Sequence, residues 1–231
     1  MTARDDLVNN PKAFIRHNLL ILHGAINDPR PEQVQPDGTM RLKLEDYSEY
    51  YEKITRTRNR KGLVKLFNTI TGTVQTKATK FYYVSPADAD GPETFFAYIC
   101  PYRDNASLSR QLGNASNLMF TADMTGCSFG VGIPGQNGAV LVMHSNAKDM
   151  ATPDSTAPQA AEQNNQLVQG GANRRMLEPG AYRKFDALNG VDIHATIIGV
   201  RGGKSWEFWY QQTNHAAREA KHMISVTKLR G

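Results

Sequence analysis

The spacing of apolar positions changes near residue 73. Before that point it is helical. Leu44, Tyr47, Tyr51 and Ile54 follow i, i+3, i+7 and i+10, which predicts a helix with its tyrosines on a core-packing stripe. Leu63, Leu66, Phe67 and Ile70 predict a second, ended by Gly72. Upstream, Asn9-Asn10-Pro11 predicts a short helix beginning at Pro11. Residues 27–39 hold three prolines and a glycine and read as a loop. After residue 73 the runs are short and rich in Thr, Val and aromatics, hence strands. Residues 73–84 and 94–100 predict a hairpin across a loop at 85–92. Residues 107–112 predict a short helix capped by Ser107. Residues 147–171 are polar, with one helix expected around 158–168. Such a stretch suits a lid, a docking loop or a plain linker. Residues 191–200 and 205–211 predict a hairpin, with Trp206, Phe208 and Tyr210 on one face and Trp209 on the other. Residues 224–229 read as a closing strand. The expected fold class is α+β: a mainly antiparallel, β-sandwich-like sheet core with flanking helices. It is read as one domain, 1–231, with a mainly helical part at 1–72 and a β-rich part at 73–231.

The stretch that organises the rest is 118–146. Residues 128–133 and 139–143 are apolar or small runs, and Pro134-Gly135-Gln136-Asn137-Gly138 between them is turn chemistry. This predicts a β-hairpin whose open end carries Cys127 on one strand and His144 on the other. Antiparallel neighbours lie about 4.8 Å apart, so thiol and imidazole come within reach, the geometry of an activated nucleophile and its base. Thr121 lies six residues before Cys127. Its hydroxyl is expected to hold the other ring nitrogen of His144, as a third triad member does. Gly126 allows close backbone approach, and the N–H groups around Thr125, Gly126 and Cys127 are candidate oxyanion donors. The competing reading is a buried Cys127 acting as a small hydrophobe. Cys100, inside an apolar run with no base nearby, is expected to be buried and inert.

The composition, 40% hydrophobic and 21% charged over 231 residues, is that of a globular chain able to bury a core. No apolar run approaches about 18 residues, so no transmembrane helix is expected, and no Sec-type signal is legible at the N-terminus. Two cysteines argue against a disulfide framework; they leave room for one Cys100–Cys127 bridge, with a reducing compartment the simpler reading. The net charge of +5 comes with a cluster at Arg56, Arg58, Arg60, Lys61 and Lys65. It lacks the interleaved aromatics of a nucleic-acid stripe. A solvated face or a dock for an acidic protein fits it better. His194 has no cysteine or acid at ligand spacing and reads as structural. His215 and His222, seven apart in a polar segment read as helical, lack a third metal ligand.

FTADMTGC followed by VLVMHSN resembles the active-site signature of the toxin glutamine deamidase superfamily. That superfamily includes the catalytic domain of cytotoxic necrotizing factor and the Burkholderia lethal factor, and is related to the chemoreceptor glutamine deamidases. The resemblance covers about 30 residues. This chain has Thr125 where the toxins have Ser, and Met124 where they have Leu. The resemblance implies a Cys127–His144–Thr121 site that converts a protein glutamine to glutamate through a thioester, without a cofactor. It also implies delivery by a bacterium into a target-cell cytoplasm and a GTPase- or translation-factor-like protein target. A monomer is expected, without nucleic-acid or membrane partners. The same dyad would serve a thiol peptidase or a transglutaminase. A non-enzymatic β-rich interaction module is the alternative of another class. In papain-like peptidases the cysteine opens a helix, whereas Cys127 is expected to open a strand, which favours deamidation.

Overall fold

Local chemistry sets the two helices that open the chain. α1 (Ala3–Asn9) starts behind Thr2, whose hydroxyl accepts the Asp5 N–H while the Asp5 carboxylate accepts the Thr2 N–H. This reciprocal capping satisfies two donors that a helix start leaves free. α2 (Pro11–His17) carries proline at its first position, where the missing N–H costs nothing. The computed structural model describes residues 2–26, 29–49, 80–147, 157–167, 175–182, 192–216 and 220–229.

Two sheets follow. The larger contains β1 (Asn18–Leu22), β2 (Thr39–Asp46), β3 (Lys80–Pro86), β4 (Thr94–Cys100), β6 (Leu118–Thr121), β10 (Asp192–Gly202), β11 (Ser205–Ala216) and β12 (Ala220–Lys228). Its order is β1-β3-β2-β4-β6-β10-β11-β12. The smaller contains β5 (Ser107–Leu112), β7 (Ser128–Val131), β8 (Val140–Ser145) and β9 (Arg175–Leu177), in the order β5-β8-β7-β9. Pairing is antiparallel except for β1 with β3 and β4 with β6. This is the expected α+β class with a sandwich-like core.

Side-chain alternation divides the core in two. In β10, Ile198 and Val200 join Phe14 and Ile15 of α2 on one face of the large sheet, while Ala195 and Ile197 join Phe129 and Val142 of the small sheet on the other. The order of layers is therefore helices, large sheet, small sheet. Each large apolar side chain buried this way contributes about 1.5–3 kcal/mol. Trp206 and Phe208 lie in the inter-sheet core with Tyr210 packed against it, and Trp209 lies in the other, as the alternation predicts. α3 (Ala157–Leu167) covers the far face of the small sheet. A Cβ at Gly130 would collide with Leu167, so the missing side chain is what lets α3 come this close.

Several expectations are corrected. The helix expected from Leu44 onward is strand β2 as far as Asp46, because Met40, Leu42 and Leu44 alternate into the core. Tyr47 is not core: it is 36% exposed and stacks on Tyr83 at 5.1 Å. The described residues up to 49 thus supply strands β1 and β2 as well as helices. The helix expected at 63–70 and the basic cluster lie outside the described residues. β3 and β4 do not form a hairpin, since β2 lies between them. Residues 107–112 form strand β5, paired along its length with β8, rather than a helix. His215 and His222 lie on the β11–β12 hairpin and not on a helical turn. None of the helices among the described residues is long and apolar enough to cross a membrane.

Candidate active site

The β7–β8 hairpin forms as the turn chemistry predicts. Gly135 and Gly138 close the turn by backbone hydrogen bonds, and Gly138 takes a φ of 72°. The register pairs Phe129 with His144 and Ser128 with Ser145. Cys127 and Asn146 are the next residues beyond that last pair. Cys127, Phe129 and Val131 pack into the inter-sheet core beside Val140 and Val142, so His144, in phase with the two valines, faces the same way. Cys127 and His144 are thus diagonal neighbours on one face, at the end of the hairpin away from its turn.

The couple is closed to solvent, with Cys127 4% and His144 1% exposed. Neither ring nitrogen of His144 has a hydrogen-bond partner among the described residues. Burial pulls the imidazole pKa down to about 4, so the ring is neutral at pH 7 and its protonated form is disfavoured while the site is closed. Tyr102, half-buried, covers it: its ring centroid is 5.2 Å from that of His144. The Tyr102 hydroxyl donates to Asp104 and accepts a 3.0 Å hydrogen bond from Asn146 Nδ2, which also donates to Asp104 Oδ1 at 3.2 Å. Burial, followed by the bond to Asp104 and the charge of Cys127, holds the phenol well above its usual pKa.

The strand start that carries Cys127 is fastened from two sides. Gly126 has a φ of 152°, which favours glycine. Its N–H donates to the Tyr182 hydroxyl at 3.0 Å, and that hydroxyl donates to the Cys127 carbonyl at 2.8 Å. Tyr182 ends the one-turn helix α4 (Pro179–Tyr182). From α3, Gln159 Nε2 donates to the Gly126 carbonyl at 3.1 Å, and its oxygen accepts the Ser128 hydroxyl. Gln163, one turn on, donates to Ser145 Oγ at 3.2 Å. Two glutamines four apart on one helix face therefore brace both strands of the hairpin. The Gly126 N–H, expected among the oxyanion donors, is taken by Tyr182. Thr125 is exposed.

Thr121 does not hold His144. Its hydroxyl donates to the Ala122 carbonyl at 2.8 Å and accepts the Ile197 N–H at 3.0 Å. β6 pairs with β10 only from Leu118 to Phe120, and the threonine side chain extends the ladder by one more bond. Its single proton is thereby committed. Thr121→Val is expected to leave the buried Ile197 N–H unpaired and to cost about 1–3 kcal/mol. Urea unfolding checks this: the midpoint should fall with an unchanged slope. An unaltered midpoint would remove the structural role.

The second thiol, Cys100, is fully buried in the same core against the His144 backbone N–H, and burial pushes its pKa up to about 12. It is an inert thiol. His194, which read as having no acid partner, meets Asp123 Oδ2 at 2.9 Å; the bridge between Met124 and Ala195 brings the two segments together. Sequence reading missed Tyr102, Asn146, Gln159 and Tyr182. A signal existed for Asn146, two residues past His144 and so on the same strand face. A weaker one existed for Gln159 and Gln163 at helical spacing.

No protein-family model and no curated protein sequence matches the chain. Among solved structures, the chain is similar to the C-terminal domain of CNFy from Yersinia pseudotuberculosis. The TM-score is 0.32 and the identity 8%, over 58% of this chain and 61% of that one.

Proposed function

We propose that this chain is a cysteine-dependent protein glutamine deamidase. The observation that supports the reading is the hairpin register: Phe129 pairs with His144, so Cys127, two residues before Phe129, falls on the same face as a buried His144 whose ring nitrogens have no hydrogen-bond partner among the described residues. A buried imidazole without a hydrogen bond is costly, and a role as base would explain that cost. The resemblance of residues 118–146 to the deamidase signature supports the same assignment.

In the proposed reaction a ring nitrogen of His144 takes the proton of Cys127 Sγ. The thiolate adds to the carboxamide carbon, and the carbonyl electron pair moves to oxygen. As that pair returns, the C–N bond breaks and protonated His144 gives its proton to the departing ammonia. Water, deprotonated by His144, then cleaves the thioester, leaving glutamate and a restored thiol. No cofactor enters any step. The substrate is proposed to be a protein of a cell into which a bacterium delivers the chain. The switch from neutral amide to carboxylate disables a target whose glutamine makes an essential hydrogen bond.

The test is mass spectrometry of lysate proteins incubated with wild type or Cys127→Ala. One or a few glutamines should become glutamate with the wild type only. Identical spectra, or cleaved peptide bonds in place of converted side chains, would overturn the assignment.

A further inference from the structure

The carbonyl oxygen that becomes negative in this reaction needs donors, and the expected backbone donor is engaged, since Gly126 N–H is bonded to Tyr182. Asn146 stands where a replacement would be required. It follows β8 directly as Cys127 precedes β7, so both lie one residue beyond the Ser128–Ser145 pair that ends the ladder. Asn146 is 5% exposed, and its own N–H donates to the Ala106 carbonyl, which ties its backbone to the loop ahead of β5.

Its side-chain nitrogen is aimed. Asp104 Oδ1 and the Tyr102 phenol oxygen, which bond each other, both accept from that nitrogen. The carboxylate pins and polarises the amide. The phenol oxygen is a neutral acceptor on the ring that covers His144.

We propose that Asn146 is a further catalytic residue: its side-chain N–H, oriented by Asp104, receives the oxygen of the carboxamide that Cys127 attacks, in the place the Tyr102 hydroxyl holds at rest. The inference rests on the deamidase reading and deepens it. As the thiolate pair adds to carbon, charge collects on that oxygen, and the N–H···O bond strengthens before ammonia leaves. Tyr102 is then a cover that substrate displaces. Its ring shields His144, and its oxygen keeps the Asn146 donor satisfied until a carbonyl arrives.

The experiment uses two reactions of the full chain. Iodoacetamide alkylates Cys127 by displacement, with no oxyanion; glutamine conversion in the lysate requires one. Asn146→Ala should slow conversion about 100- to 1,000-fold, the cost of one lost oxyanion donor, while alkylation stays within about threefold of wild type or rises. Tyr102→Phe, which keeps the ring on His144 and frees the Asn146 N–H, should convert glutamine at least as fast as wild type. Conversion within about threefold of wild type in Asn146→Ala overturns the assignment. So does a parallel loss of alkylation and conversion in that variant, which would mark a positioning role. A tenfold or greater loss in Tyr102→Phe overturns the displaced-cover arrangement. A wild type that neither alkylates nor converts instead removes the deamidase reading itself.

Discussion

Cys127→Ser is expected to lose glutamine conversion by orders of magnitude while its melting temperature stays within a few degrees. The substitution exchanges one atom at a site beside His144 and keeps its size nearly constant, so stability changes by no more than about 1 kcal/mol. The chemistry changes far more. A free thiol has a pKa of about 8.5 and yields its proton to an adjacent imidazole. A serine hydroxyl is a far weaker acid and gains much less from the same base. Cys100→Ser should do the reverse. That thiol is fully buried in an apolar core with its pKa pushed up to about 12. A hydroxyl there costs about 1–3 kcal/mol of stability while the folded fraction keeps its activity. Thermal melts and conversion assays on the two variants settle the assignment. If Cys100→Ser kills activity without unfolding the chain and Cys127→Ser does not, the nucleophile is the other cysteine.

The second large effect is loss of stability in acid. In the folded chain His144 has a pKa of about 4, against an ordinary value of 6.5, because burial opposes its charged form. Between those values the unfolded chain binds the proton more readily, so folded stability rises with pH across the window. The contribution is complete above about pH 6.5, is lost as pH falls towards about 4, and levels off below. At about 1.36 kcal/mol per unit, the window is worth about 3 kcal/mol. Asp46 and Glu207, whose pKa values are also held low, add acid sensitivity of their own. The clean measurement is therefore a difference. Urea midpoints of wild type and His144→Leu, taken from pH 7.5 down to 4, should shift relative to each other by about that amount. Equal pH slopes for the two proteins would show that the imidazole is not held neutral by its surroundings.

The same residues show why part of the fold was legible. The β7–β8 hairpin, the β10–β11 hairpin and helix α3 each form from contiguous residues with their turn or polar signal in between, so local pattern and tertiary contacts agree. β2 was misread because Leu44 belongs to two patterns at once. It starts a helical spacing with Tyr47, and it ends an alternation with Met40 and Leu42. The alternation wins because it places three side chains in the core. β5 carries one buried position, Leu112, and almost no pattern. It is a strand because β8 offers a partner along its whole length, with paired positions 28 to 38 residues apart in the chain.

What the sequence alone determined at the site is the placement of Cys127 and His144 at the open end of one hairpin, because alternation and turn chemistry are local. Tertiary structure decided what surrounds them. Tyr182 reaches Cys127 from 55 residues away, Gln159 reaches Gly126 from 33 and Asn146 reaches Tyr102 from 44. It also gave the Thr121 proton to Ala122 rather than to His144. A hydroxyl or amide bonds whichever group the packed layers bring within about 3 Å, and spacing along the chain carries no record of that neighbour.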